Sequence, residues 1–156
     1  MIRHLTNKDL LELNNFINNE EIHFNYFIKL GWNFIQLKNH LNKKSNFSLG
    51  YFQDNYLKGI LIGDKLPILT NFELEIHIIY VGFKNRQKKI GFNLINFVEI
   101  NKNSTNINKI YLEVSDQNIE AVKFYEKNNF VFTKIRHNYY NHDKNYSNAK
   151  CFTKKI

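Results

Sequence analysis

Residues 76–99 pass from a β-branched and aromatic stretch through a basic turn into an amphipathic segment without a break, and that run most narrows what the chain can become. Ile76-His77-Ile78-Ile79-Tyr80-Val81 reads as strand, and Ile90, Leu94, Ile95, Phe97 and Val98 then fall on one face of a helix. After a polar connector at 101–108, residues 109–114 form a second strand, with Ile110, Leu112 and Val114 on one side and Tyr111 and Glu113 on the other. Strand, helix and strand in that order dictate a parallel pair joined by a right-handed crossover. A helix that begins directly after a strand also presents unpaired N–H groups and the positive end of its dipole, which attract phosphate. Arg86, Lys88 and Lys89 add charge at that point, and Gly91 is the residue best able to let a ligand approach the backbone.

The flanking pattern fills in the architecture. Residues 2–5 read as a short strand, followed by a helix capped at Thr6 with Asp9 in its first turn and Leu10, Leu13, Phe16 and Ile17 at helical spacing. Residues 20–41 suggest two short helices broken near Gly31, and 48–52 with 56–62 suggest a hairpin around Gln53-Asp54-Asn55. Residues 63–67, with the only proline, read as a loop, and the opening strand extends back to Glu73. A later helix starts at Asn118, carries Ala121, Phe124 and Tyr125, and closes at Asn128-Asn129, where Asn tolerates the left-handed conformation. Residues 131–135 and 149–154 read as strands separated by a polar loop at 138–148. The sum is an α+β chain with a mixed, mostly antiparallel twisted sheet of six to seven strands flanked by about four helices.

Composition excludes several classes. The 156 residues suit one domain spanning the whole chain, and 43% hydrophobic content is too apolar for disorder, while no run approaches the roughly 20 residues of a membrane span. The single cysteine, Cys151, excludes an internal disulfide and a zinc-cysteine cluster, and the six histidines show no metal-ligand spacing. Met1-Ile2-Arg3-His4 lacks the apolar core of a signal peptide, so the chain reads as cytoplasmic. A formal net charge of +8 fits an anionic partner, whether nucleic acid, a membrane surface or a polyphosphate ligand.

Arg86-Gln87-Lys88-Lys89-Ile90-Gly91 resembles the acetyl-CoA loop of the GNAT N-acetyltransferases, [QR]-x-x-G-x-[GA], with Lys89 in place of the first glycine. Tyr111-Leu112-Glu113-Val114, then Asn118, Ala121, Phe124-Tyr125, Phe130, Arg136 and Tyr139-Tyr140, resemble the L-E-V-x-x-x-N-x-x-A-x-x-[FL]-Y-x-x-x-G-F block and R-x-x-Y-Y of the bacterial ribosomal-protein-alanine N-acetyltransferases, with Asn129 in place of a glycine. Trp32 is similar to the tryptophan of their P-W-S motif, and Glu75-Ile76 with Ile79 and Val81 to the strand before the cofactor loop.

The resemblance implies a GNAT fold and direct transfer of acetyl from acetyl-CoA, without a metal, to an amine, namely the N-terminal alanine of a small-subunit ribosomal protein. It implies Glu113 as general base and Tyr125 as general acid to the departing thiolate. It assigns coenzyme A to the backbone of Ile79, Tyr80 and Val81, to the turn Arg86, Gln87, Lys88, Lys89, Ile90 and Gly91, and to Asn118. Membrane and nucleic acid have no part in that catalysis.

The residues themselves admit plainer readings. Glu113 is otherwise a solvent-facing strand glutamate, Tyr125 a core tyrosine beside Val122, and Asn118 a helix cap, a role compatible with binding coenzyme A. If Glu113 is the base, burial in an apolar strand is expected to raise its pKa. His77 reads as a hydrogen-bonded sheet histidine or a second base, with Glu75 as a partner, and Cys151 as an apolar filler. A small-molecule amine as acceptor, or a non-catalytic basic module docking on ribosomal RNA, are the alternative functions.

Overall fold

The computed structural model describes residues 1–19, 27–28, 30–142 and 145–156. Among them the chain runs β1 (Ile2–His4), a 3-10 turn (Asn7–Asp9), α1 (Leu10–Asn18), α2 (Phe34–Leu41), β2 (Leu49–Gln53), β3 (Tyr56–Ile68), β4 (Asn71–Val81), a second 3-10 turn (Phe83–Asn85), α3 (Ile90–Ile100), α4 (Lys102–Thr105), β5 (Ile107–Ser115), α5 (Ile119–Lys127), β6 (Val131–His142) and β7 (Asn145–Lys155). The seven strands make one open sheet in the order β1-β2-β3-β4-β5-β7-β6. Only β4 and β5 run parallel, because only they are joined by a crossover helix, α3.

Local chemistry explains most boundaries. Thr6 and Asp9 form the expected capping box, but it closes a 3-10 turn that leads into α1. Leu10, Leu13 and Ile17 then face the sheet. Asn33 caps α2, its side chain accepting from the N–H groups of Ile35 and Gln36. The other short helix expected before Gly31 falls mainly on 20–26 and 29, outside the described residues. Asn129 takes φ 62° after α5, as its side chain allows.

Three expectations are corrected. Residues 63–67 are strand, not loop: β2 pairs with β3 only as far as Leu61, so the outer side of β3 at Pro67 is an edge, where a missing N–H breaks no ladder. Residues 138–148 are not a loop either, because β6 and β7 continue as a hairpin with Tyr140 opposite Ser147 and Asn141 opposite Tyr146. Polar side chains are tolerated there because β6 is an exposed edge strand. The connector after α3 contains the short helix α4.

Two apolar clusters pack on opposite faces of the sheet. One joins Leu74, Ile76, Ile110, Leu112 and Val114 to Ile90, Leu94, Ile95 and Val98 of α3 and to Val122 and Tyr125 of α5. The other joins Ile60, Ile62 and Ile78 to Leu10, Leu13 and Ile17 of α1 and to Leu37 and Leu41 of α2. Each fully buried Leu or Ile contributes about 1.5–3 kcal/mol. Ile76 and Ile78 belong to different clusters although they are two apart in one strand. The cause is a bulge: Ile62 pairs with Ile78 and Gly63 with Ile76, leaving His77 as the extra residue. Gly63 allows that irregularity, since a Cβ there would meet the Glu75 carbonyl oxygen at 2.5 Å. Gly63→Ala is expected to lower stability by about 2 kcal/mol, measured by urea unfolding; an unchanged midpoint would show that this contact does not set the bulge.

Candidate active site

The ladder between β4 and β5 runs from Phe72–Ile107 to Ile76–Leu112 and stops. Past that vertex β4 stays paired to β3, with Ile79, Tyr80 and Val81 opposite Leu61, Ile60 and Gly59. On the other arm β5 stays paired to β7, with Glu113 opposite Cys151. Each strand is anchored on its outer side, and past Ile76–Leu112 the inner side of β4 lies outside the β4–β5 ladder, so residues 77–81 border an opening between the two strands.

At the far end of β4 the basic turn leads into α3. Gln87 and Lys89 both hold left-handed conformations, φ 60° and 61°. Lys89 is the N-cap of α3, its own side chain makes no capping hydrogen bond, and the lysine is exposed. Lys88 Nζ donates to the Lys84 carbonyl at 3.1 Å, and the Arg86 guanidinium lies 5.8 Å from the Tyr80 ring and 5.5 Å from that of Phe83. The positive end of the α3 dipole and three cationic side chains give this turn the sign that suits a polyphosphate. Gly91 and Ile90 are buried, and a Cβ on Gly91 would come within 3.1 Å of Phe124. Gly91 therefore lets α5 pack closely on α3, where the sequence suggested room for a ligand.

Glu113 is the first residue of β5 beyond the vertex, and its side chain is 12% exposed. Its Oε1 accepts from the Tyr111 hydroxyl, from Arg136 Nη1 at 2.7 Å and from Cys151 Sγ at 3.7 Å. Arg136 also stacks 4.0 Å from the Tyr139 ring. Burial acts to raise the Glu113 pKa, but hydrogen bonds from Tyr111, Arg136 and Tyr139 and the guanidinium charge outweigh it, so the carboxyl lies below its ordinary value. The expected rise is thus corrected to a fall. Burial and the Glu113 carboxylate push the Tyr111 and Tyr139 hydroxyls up, keeping them protonated donors.

Tyr125 is buried on α5, its ring 5.4 Å from Phe124, 5.5 Å from Phe130 and 6.2 Å from Phe152. Asn118 is the cap of α5, its Oδ1 accepting from Ala121 N at 3.2 Å. Cys151 is fully buried, as an apolar filler should be.

A second polar group lies beside the vertex. His77 Nε2 sits 2.9 Å from Asp64 Oδ2, so its partner is Asp64 and not Glu75. Ser45 Oγ donates to Asp64 Oδ1 at 2.7 Å, and Lys43 Nζ lies 3.3 Å from Oδ2. His40 Nε2 donates to the Gly63 carbonyl at 3.1 Å, while burial lowers its pKa and keeps it neutral. Donor atoms of His40, Asp64 and His77 lie within 4.8 Å of one another. Because Lys43 already supplies the carboxylate with a cation, we read the group as a hydrogen-bonded network and not as metal ligands. Sequence reasoning missed Asp64, whose stretch it took for loop. The placement of Tyr111 beside Glu113 was signalled by the i, i+2 alternation in β5, and Arg136 by the R-x-x-Y-Y resemblance.

Residues 9–130 match the model of the acetyltransferase (GNAT) family. No curated protein matches the chain in sequence. Among solved structures, a probable acetyltransferase from Staphylococcus epidermidis superposes with a TM-score of 0.83 at 17% identity, over 99% of this chain and 98% of that one. The ribosomal-protein-S18-alanine N-acetyltransferase from Escherichia coli gives 0.78 at 18% identity, over 100% and 93%. Arabidopsis thaliana NAA60 in complex with acetyl-CoA gives 0.78 at 17%, over 100% and 98%. At these identities the likeness speaks to fold. Among the described residues no helix is long and apolar enough to cross a membrane.

Burial acts to raise the Asp64 pKa, but hydrogen bonds from Ser45, His77 and Lys43 prevail and bring it down to about 2. A depressed carboxyl stabilises the fold fully above its unfolded value, and that stabilisation is lost as pH falls through the folded one. Wild type is therefore expected to lose about 2 kcal/mol more than Asp64→Asn between roughly pH 5 and pH 2, measured by urea unfolding at each pH. Parallel curves would show that Asp64 is not so held.

Proposed function

Because the chain belongs to the acetyltransferase (GNAT) family, a family of acetyl-CoA-dependent N-acetyltransferases, we propose that it moves acetyl from acetyl-CoA to the N-terminal α-amine of a protein, the alanine of a small-subunit ribosomal protein being the acceptor, in the cytoplasm. The observation that carries this reading is the half-buried Glu113 carboxylate just past the vertex of two parted strands, with a basic turn and an uncapped helix at the far end of β4. The acceptor is supported by the L-E-V and R-x-x-Y-Y motifs and by the likeness to the Escherichia coli enzyme.

In this reading each group of the chain has one task. Backbone groups of Ile79, Tyr80 and Val81 pair with the pantetheine arm, one of the N–H groups polarising the thioester carbonyl. Arg86, Lys88, Lys89 and the N–H groups from Gln87 to Gly91 hold the pyrophosphate, with Asn118 contacting the coenzyme beside them. Glu113 attracts the ammonium end of the peptide and removes a proton from it. The neutral nitrogen bonds to the acetyl carbon, the C–S bond breaks, Tyr125 gives its proton to the thiolate, and the second proton shed by the nitrogen as it becomes an amide restores the tyrosine hydroxyl.

Mixing the protein with acetyl-CoA and an alanine-starting ribosomal peptide is expected to add one acetyl group at the α-amine, read by mass spectrometry. Turnover on spermidine or an aminoglycoside but not on the peptide would overturn the acceptor and leave the chemistry standing. No binding of acetyl-CoA by calorimetry at millimolar ligand would instead favour a non-catalytic RNA-docking module.

Glu113→Gln and Tyr125→Phe are each expected to lower kcat by about 10²–10⁴-fold with the acetyl-CoA affinity nearly unchanged. Full activity in both variants would remove these assignments.

A further inference from the structure

Arg136 and Tyr139 both reach Glu113, yet a regular strand would not let them. Residues three apart on a strand point to opposite faces of the sheet, whereas here the Tyr139 ring lies 4.0 Å from the Arg136 guanidinium and both side chains donate to the Glu113 carboxylate. The cause is an irregularity in β6. Arg136 stands opposite Ala149 and Tyr140 opposite Ser147, so His137, Asn138 and Tyr139 share the space facing Asn148 alone. Continuing the ladder from Arg136 without that bulge would set Tyr139 opposite Tyr146, on the other face from Arg136.

Two side chains hold the bulge. Asn148 Oδ1 accepts from the Asn138 N–H at 3.1 Å, and Asn148 Nδ2 donates to Asp116 Oδ2 at 2.9 Å. Asp116 follows β5 directly, and its own N–H donates to the Asn148 carbonyl at 2.9 Å, so the end of β5 holds Asn148 by backbone and side chain together. An ionised carboxyl only accepts, which makes the amide nitrogen of Asn148 face Asp116 and its oxygen face Asn138. Among the described residues Asp116 Oδ1 is buried with no partner, so Asn148 is the one side chain this carboxylate engages. Asn138 takes φ 53° in the middle of the bulge, a left-handed conformation that asparagine tolerates. Ser115 Oγ and Ser147 Oγ lie 3.1 Å apart beside it.

We infer that Asn148, its amide oriented by Asp116, is a positioning residue for acetyl transfer: it fixes the β6 bulge and so keeps Tyr139 on the Glu113 carboxylate and the Arg136 guanidinium. The inference rests on the acetyl-transfer reading of Glu113. Asn148 acts through Tyr139 and not on either reactant. Released from Asn148, the bulge is free to shorten and Tyr139 leaves the face that carries Arg136. Glu113 then keeps Tyr111 and Arg136 but loses a donor that fixes the direction of its carboxylate. The acceptor amine meets a base that is less well aimed, while the basic turn from Arg86 to Gly91 is untouched.

The test is a double-mutant cycle of Asn148→Ala and Tyr139→Phe, read as kcat/KM on whichever of an alanine-starting peptide, a lysine peptide or spermidine wild type acetylates. Each single variant is expected to fall about 10-fold, and the double variant no further than either alone, with acetyl-CoA affinity by calorimetry within about twofold throughout. Losses that multiply, an unaltered Asn148→Ala, or a loss of acetyl-CoA affinity matching the loss of activity, as a general packing role would give, overturns the inference. Exchanging the pair, Asp116→Asn with Asn148→Asp, turns the amide–carboxylate bond around and still leaves an oxygen for the Asn138 N–H, so it is expected to stay within about threefold of wild type. Asn148→Asp alone sets two carboxyl groups against each other and should fall like Asn148→Ala; an exchanged pair that falls as far overturns the inference. A further arm needs no acceptor. Ring-current shifts of the Arg136 side-chain protons by Tyr139, read by NMR, should be present in wild type and in the exchanged pair and vanish in Asn148→Ala. Their persistence in Asn148→Ala overturns the positioning role whether or not any amine is acetylated; their loss in a protein that acetylates none of the amines defeats the acetyl-transfer reading and keeps Asn148 as the residue that holds Tyr139.

Discussion

Everything distinctive about this molecule follows from the place where two parallel strands stop pairing. Antiparallel neighbours hold β4 through β3 and β5 through β7, so neither strand depends on the other beyond Ile76–Leu112. An isolated parallel pair that parted would expose two edges and fray. Here each inner edge is the far side of a strand already fixed by its outer neighbour, so parting costs neither strand its place in the sheet. The crossover helix that makes the pair parallel also delivers its N-terminus to the same end of the sheet, so the opening and the basic turn have one topological cause.

Charge is distributed along that opening with opposite signs at its two ends. Arg86, Lys88 and Lys89 gather where α3 begins, while Glu113 keeps its negative charge at the vertex through Tyr111 and Arg136. A substrate with a polyanionic tail and an amine to be modified at its other end matches that polarity; an anionic acceptor does not. Part of the chain's net +8 is thus gathered at one end of the opening, while the carboxylate at the other end is paired with Arg136.

Features that depend on neighbours in sequence were legible: the strand–turn–helix–strand run, Tyr111 and Glu113 on one face, Asn118 as a cap and Asn129 as a left-handed terminus. Features that depend on register were not. Ile76-His77-Ile78-Ile79 alternates acceptably in either register, so the bulge that separates Ile76 from Ile78 leaves no mark in the sequence. Asp64 becomes the partner of His77 only once β3 is known to continue through Pro67. The direction of the Glu113 shift escaped for the same reason, because burial can be guessed from an apolar strand but Arg136 arrives from 23 positions away.

Lys89 tests how far side-chain identity matters in the phosphate turn. Where the family has glycine, this chain holds a lysine at φ 61°, two residues after a glutamine at 60°. A left-handed conformation costs a residue with a Cβ about 1–2 kcal/mol, so the turn retains it against local preference, and the packed junction behind it accounts for that. Ile90 is buried at 3% exposure, and Gly91 is pressed against Phe124, which fixes the first turn of α3. With the helix start fixed from behind, the chain leading into it must reverse within a few residues whatever side chains it carries. Lys89 keeps a left-handed backbone there and adds an exposed charge at the start of α3. The conformation of the turn is thus a property of where α3 begins, set by the core and not by the residue that departs from the pattern.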